Sequence, residues 1–217
     1  MLMSVDGKIS TGAGDELDVD KDFPQIDGVK EGLHQYYELE QSTDLWSFNT
    51  GRVMAKIGIN ERITPEKTPV SFVILDNSHL TERGIRNMCA KSELLVLITS
   101  NERHPAFCVE ADNLRIVYQK RLDLGAALYA LKADFCCERL TIQSGGTVNG
   151  LFLREKLIDC VDIVVAPVLV GGKDTATLID GSSITSADDL SKLGVLKLTE
   201  CTALKDSYVR LRYKVIG

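Results

Sequence analysis

A chain of 217 residues, 44% apolar and 26% charged, has the make-up of a globular protein able to bury a full core. Its formal charge of −6 and the lack of a Lys/Arg-rich block argue against a nucleic-acid partner, because neutralising phosphates needs a basic face. No apolar run approaches the roughly 20 residues of a bilayer span, and the N-terminus lacks the regions of a signal peptide, so a cytoplasmic protein without membrane contact is expected. The six cysteines, at 89, 108, 136, 137, 160 and 201, form no C-x-x-C pair. His34, His79 and His104 show no ligand spacing, so neither a metal nor a disulfide is expected.

Met1–Val5 reads as a strand so short that native residues are expected upstream of it. Residues 10–28, rich in Gly and Asp, read as a long loop of the kind that serves as a lid or binding segment. Helical spacing follows over 29–41. Leu45–Phe48 reads as a buried strand, followed by Thr50-Gly51-Arg52 and a short helix to Ile57. Strands are then expected at Val70–Leu75, Leu94–Thr99 and Arg115–Tyr118, with a helix over 81–90. Leu124, Ala127, Leu128, Leu131 and Phe135 mark an amphipathic helix. Arg139–Gln143 reads as a strand, and the helix after it places Val148, Leu151 and Phe152 on one face. Val161–Val170 has the apolar character of a strand covered on both faces. Val209, Leu211, Tyr213 and Val215 alternate with polar residues, which predicts a half-exposed strand paired antiparallel with 195–203 across a turn at Asp206-Ser207. The pattern is that of an α/β protein with a mostly parallel sheet closed by an antiparallel hairpin, in one domain over 1–217.

Three segments have the residues for ligand chemistry. Ser144-Gly145-Gly146-Thr147-Val148 joins a strand to a helix, where glycines permit close backbone approach and the first helical turn offers N–H groups to an anion. A Gly-Gly pair before a helix serves equally to make a tight turn. Thr50-Gly51-Arg52 sets an arginine at a second strand–helix junction with Lys56 one turn on, fit for a phosphate or for solvent. In the third, a buried strand breaks at Gly171-Gly172. Ligands of α/β sheets gather beyond such carboxyl ends of strands. Neither G-x-G-x-x-G nor a P-loop occurs; Gly171-Gly172-Lys173 is followed by Asp174.

In this order the segments resemble the reductase domain of the riboflavin biosynthesis proteins, the RibD C-terminal-like family of the dihydrofolate-reductase-like superfamily. The resemblance rests on Ser4-Val5-Asp6-Gly7-Lys8-Ile9, Asp44 to Arg52, Gly145-Gly146-Thr147-Val148-Asn149 with Leu157-Ile158-Asp159, and Pro167 to Gly172. It implies a three-layer fold, a mixed and mostly parallel sheet with helices on both faces and a C-terminal hairpin. It also implies an NADPH-dependent oxidoreductase that reduces a ribosylamino-pyrimidine phosphate.

Carried over by position, Ser144, Gly145, Gly146, Thr147 and Val148 line the cofactor phosphates. Thr50, Gly51 and Arg52 approach the adenosine side, with Arg52 on the 2′-phosphate, and Asn77 and Ser78 add hydrogen bonds there. Asp6, Ile9, Gln143, Gly171 and Gly172 border the heterocyclic substrate. The resemblance also implies a homodimer, supported by the apolar content of 195–215. The chain departs from the family pattern at Gln143, where an acid is usual, and at Ala55-Lys56-Ile57-Gly58, where Ala-Asp-Asp-Pro is usual. No residue is therefore identified as proton donor. Two other readings remain: a dihydrofolate or pteridine reductase using Asp27 or Glu31, and a non-catalytic nucleotide-binding module.

Overall fold

The computed structural model describes residues 1–61 and 66–216. In chain order the elements are β1 (Leu2–Ser4), α1 (Val19–Asp22), α2 (His34–Glu40), β2 (Trp46–Thr50), α3 (Gly51–Lys56), β3 (Ser71–Leu75), α4 (Glu82–Lys91), β4 (Leu95–Thr99), β5 (Leu114–Tyr118), α5 (Leu124–Phe135), β6 (Thr141–Ile142), α6 (Gly146–Arg154), β7 (Cys160–Ala166), β8 (Leu196–Ala203) and β9 (Val209–Val215). Short 3-10 turns cover Phe23–Gln25, Pro105–Cys108 and Ala187–Lys192. The chain divides into two compact units, Met1–Thr43 with Gly145–Gly217, and Asp44–Ser144.

The second unit holds a five-stranded, all-parallel sheet in the order β5-β4-β3-β2-β6. All five residues of β4 are buried, as an apolar run paired on both edges should be. Thr81 caps α4 by accepting from the Gly84 N–H, and Glu82 and Lys91 suit the two ends of its dipole. That helix packs Ile85 and Met88 against Ile74, Leu95 and Leu97, each burial worth roughly 1.5–3 kcal/mol.

The first unit holds a four-stranded sheet in the order β1-β7-β9-β8. The β1/β7 pair is parallel, while β7/β9 and β8/β9 are antiparallel. The parallel pairing and the C-terminal hairpin are as the sequence predicts, with the strands distributed over two sheets. The hairpin turn has Asp206 and Ser207 at φ +53 and +64, the left-handed pair whose twist suits adjoining strands.

Two local expectations change. The segment 10–28 contains α1 and a 3-10 turn, pinned by buried Val19 and Phe23 and capped by Asp18, which accepts from the Asp20 N–H at 2.9 Å. Two apolar residues four apart among acids are too few to show periodicity. The strand expected over 161–170 ends at Ala166, before Pro167, and Asp162 within it is exposed to pair with Arg210 and Arg212. Only its later part is well buried.

Tyr208 is fully buried and donates to the Val29 carbonyl at 2.7 Å, with Gly32 so close that a Cβ there would lie 2.6 Å from the ring. Tyr208→Phe leaves that carbonyl buried without its donor and should cost about 1–3 kcal/mol. A urea unfolding curve should show it as a lower midpoint at unchanged slope.

Candidate functional site

In the first unit β1 delivers the chain into a turn with Gly7 at φ +78. Ser4 Oγ accepts from the Lys8 N–H at 2.9 Å and donates to Asp6 Oδ1 at 2.5 Å. Asp6 then accepts from the Val170 N–H (3.1 Å) and the Gly171 N–H (2.6 Å), while Lys8 Nζ donates to the carbonyls of Gly172 (2.7 Å) and Thr175 (3.0 Å). Gly171 and Gly172 sit at φ +73 and +82, two consecutive left-handed residues that only glycine adopts at little cost. The structure thus brings Asp6, Gly171 and Gly172 together, with both Asp6 oxygens engaged in holding the turn. Ile9 extends this join, its N–H donating to the Ala176 carbonyl at 3.0 Å.

The glycine pair ahead of α6 divides by role. A Cβ on Gly146 would lie 2.2 Å from the Thr177 carbonyl oxygen and 2.4 Å from Asp180 Oδ2, and one on Gly150 would lie 2.2 Å from the Asp180 carbonyl oxygen. Close packing of α6 on 177–180 requires both. Asn149 Nδ2 donates to the Leu178 carbonyl, and the Asp180 N–H to the Gly146 carbonyl, both at 2.9 Å. Gly145 is different: it has φ −71 and ψ 160, which suit any residue, and a Cβ there would meet nothing within 4 Å. No side chain caps α6 at this N-terminus. Ser144 is buried, Val148 half-buried and Thr147 exposed.

In the second unit Thr50 caps α3, accepting from the Val53 N–H at 3.4 Å, and Arg52 is exposed on the first turn. Gly51 abuts Asp76: a Cβ would lie 2.2 Å from its Cγ. The buried Asp76 carboxylate accepts from the N–H groups of Ser78 (3.3 Å), His79 (3.0 Å) and Leu80 (2.9 Å), from His79 Nδ1 (3.0 Å) and from His104 Nε2 (2.9 Å). Burial works against its charge, but the bonds from His104, Leu80 and His79 outweigh it and hold the carboxyl well below the usual carboxylate range. Sequence reading missed this cluster, because its two histidines are distant in sequence and only the fold joins them.

Asn77 Oδ1 accepts from Thr99 Oγ1 (3.0 Å) and the Ser100 N–H (2.7 Å), tying the ends of β3 and β4. Asn77, Ser78 and His79 are exposed in succession, and Ser78 lines a shallow depression with Asn60, Thr81 and Arg83. Gln143 Oε1 accepts from Ser47 Oγ at 3.0 Å, and Ser47 Oγ accepts from Asn49 Nδ2 at 2.9 Å. The acids weighed for a dihydrofolate site are engaged locally at the surface: Asp27 pairs with Lys30, and Glu31 accepts from the Gly28 N–H at 2.9 Å. Among the described residues no three His, Cys, Asp or Glu side chains converge as metal ligands, and no helix is long and apolar enough to cross a membrane.

Each unit, taken by itself, offers groups suited to an anion. Gly145 leaves open space before an uncapped helix start, where N–H groups and dipole favour an anion. The ends of β2 and β3 expose Arg52, Ser78 and His79.

The hydrogen bond from Ser4, then that from the Val170 N–H, holds the Asp6 carboxyl down at about 2. A folded value below the unfolded one means that this contribution is full above about pH 4 and is lost as the pH falls toward about 2. The Asp6 carboxyl carbon resonance should accordingly titrate at about 2; a midpoint at the ordinary aspartate value of about 3.9 would mean that the turn at 170–171 is not held as described.

A family model described as the RibD C-terminal domain matches residues 1–209, a span that includes parts of both units. The chain is 28% identical over 201 residues to the 2,5-diamino-6-ribosylamino-4(3H)-pyrimidinone 5′-phosphate reductase of Methanothermobacter thermautotrophicus, covering 88% of this chain and 86% of that protein. It is 25% identical over 213 residues to the riboflavin biosynthesis protein RibD of Actinobacillus pleuropneumoniae, covering 91% of this chain and 52% of that one. Among solved structures, Acinetobacter baumannii RibD (form 1) matches with a TM-score of 0.68 at 16% identity, over 100% of this chain and 57% of that chain. A pyrimidine reductase-like protein from Corynebacterium diphtheriae matches with a TM-score of 0.61 at 14% identity, over 100% of this chain and 90% of that one. The chain therefore spans a little over half the length of the RibD proteins it matches, and the structural likeness establishes the dihydrofolate-reductase-like fold. With its glycine runs in the family's order and the family model matched over nearly its whole length, the chain belongs to the RibD C-terminal domain family.

Proposed function

We propose that this chain is an NADPH-dependent reductase acting on a ribosylamino-pyrimidine phosphate, the class of substrate for which its Methanothermobacter relative is named. The observation that carries this reading is Gly145, a glycine that neither backbone conformation nor packing requires, set before the uncapped first turn of α6. A side chain there would keep a phosphate away from the helix N–H groups.

The bound dinucleotide supplies the hydride, and the protein supplies position and charge. In the first unit Gly145, Gly146, Thr147 and Val148 face the pyrophosphate, continuing from Ser144 at the end of the second. In the second unit Thr50, Gly51, Arg52, Asn77 and Ser78 serve the adenosine side, with Arg52 on the 2′-phosphate. Asp6, Ile9, Gly171 and Gly172 border the substrate, Asp6 acting through the turn it holds. Gln143, anchored on Ser47, orients the heterocycle; an amide does not exchange a proton as a carboxyl does. Residues 1–217 work as one reductase domain in the cytoplasm.

Titration of the purified protein with NADPH and NADH, by calorimetry and Trp46 fluorescence, tests the reading. Arg52→Ala should weaken NADPH selectively by about tenfold or more. Gly145→Ala should weaken both nucleotides at a cost in stability of at most about 1 kcal/mol. No binding of either nucleotide sinks the reductase reading, while binding without turnover of any pyrimidine leaves a nucleotide-binding module.

The exposed apolar residues Val195, Leu196, Leu198 and Ile216 on and beside the edge strand β8 support a homodimer. Sedimentation should then give twice the monomer mass, and Leu198→Glu should return the protein to monomer.

A further inference from the structure

The carboxyl end of β3 holds three titratable side chains on one anchor. The side chains of Asp76 and His104 are fully buried, whereas His79, bonded to the same carboxylate, is 47% exposed. His104 has one tautomer open to it: Nδ1 accepts from the Ala106 N–H at 3.1 Å, so Nε2 carries the proton donated to Asp76. It is a neutral structural link. The N–H groups of Ser78, His79 and Leu80 together with His104 supply donors to both Asp76 oxygens, so the His79 ring is not needed to satisfy the carboxylate. Its Nδ1–H nevertheless donates to Asp76 Oδ1 at 3.0 Å, which sets the ring orientation and leaves Nε2 as its second polar atom. A half-exposed imidazole held in this way by a buried anion is a preorganised binding group.

We infer that His79 reads the 2′-substituent of the dinucleotide, donating from Nε2 to a 2′-phosphate oxygen while Nδ1 donates to Asp76. The inference rests on the cofactor reading above and concerns the second unit alone. Asn77 and Ser78, assigned to the adenosine side, lead directly into His79 at the exposed end of β3. The Thr50–Arg52 segment meets the same anchor, because Gly51 lies against the Asp76 carboxylate.

An imidazole donates from both nitrogens only as imidazolium. Binding a phosphate at Nε2 therefore takes up a proton, and the cation lies between two anions. A 2′-hydroxyl makes no such demand, since neutral Nε2 accepts its hydrogen bond. Preference for the phosphorylated dinucleotide thus falls as pH rises. The charged groups on the neighbouring elements are Asp76 at the end of β3, Arg52 on α3, and Glu82 and Arg83 at the start of α4; His104, behind Asp76, is neutral.

The test is calorimetry of the full chain with NADPH and NADH at about pH 6 and about pH 8, in buffers of different ionisation enthalpy, repeated on His79→Gln. The second ionisation of the 2′-phosphate, near about 6, is common to both proteins, so their difference isolates the imidazole. Expected are proton uptake on NADPH binding at the higher pH, and a pH-dependent loss of NADPH affinity about tenfold larger in the wild type than in His79→Gln. NADH should show neither effect. NADPH binding with the same pH dependence in both proteins overturns the role of His79 and leaves the cofactor reading standing. Failure of both proteins to bind either nucleotide overturns the two together.

Discussion

Asp76 lies with its side chain buried just beyond β3, and the carboxyl ends of the neighbouring strands in the second unit are arranged around that one charge. A carboxylate removed from water is costly unless matched by donors. Here the matching donors come from the turn that follows β3 and from His104, which reaches back from the 3-10 turn after β4. Gly51, at the start of α3, is held to glycine by the same group. One buried anion therefore ties together the carboxyl ends of β2, β3 and β4, the edge of an α/β sheet where ligands gather. Asn77 repeats the device in neutral form, with its side-chain oxygen bonded to Thr99 and Ser100.

The first unit uses acids in the same way. Asp6 binds the backbone of the turn after β7, and Asp180 accepts from Thr177 through both its N–H and its hydroxyl. In each case a short acidic side chain stands in for a missing backbone partner, which keeps an irregular segment at a strand or helix end in one conformation. Among the described residues no buried side-chain polar atom lacks a partner. Against this background Gly145 stands apart from Gly51, Gly146 and Gly150. Contact within the fold accounts for those three, whereas a Cβ on Gly145 would meet nothing within 4 Å.

The regular elements were legible because their signals are local. The all-apolar run of β4, the spacing of Leu124, Leu128, Leu131 and Phe135 along α5, and the alternation of β9 each declare an element without reference to anything distant. Short or mixed segments were not legible. The turn of helix at Val19–Asp22 depends on Val19 and Phe23 finding a core made by Leu2, Val29 and Tyr208, and the exposure of Asp162 depends on arginines of another strand. Cross-strand pairing of that kind carries no local mark.

The sequence by itself determined the alternation of strands and helices, the C-terminal hairpin with its Asp206-Ser207 turn, and the ordered glycine runs that mark the RibD C-terminal domain family. Each of these is written in residues that are neighbours along the chain. Only the tertiary structure decided which acids are engaged in holding turns, which glycine of the pair at 145–146 is needed for packing, and that His79 and His104 share one carboxylate. Those outcomes rest on distances between atoms far apart in sequence, set by how strands register and how closely a helix approaches a loop, and no spacing of letters encodes them.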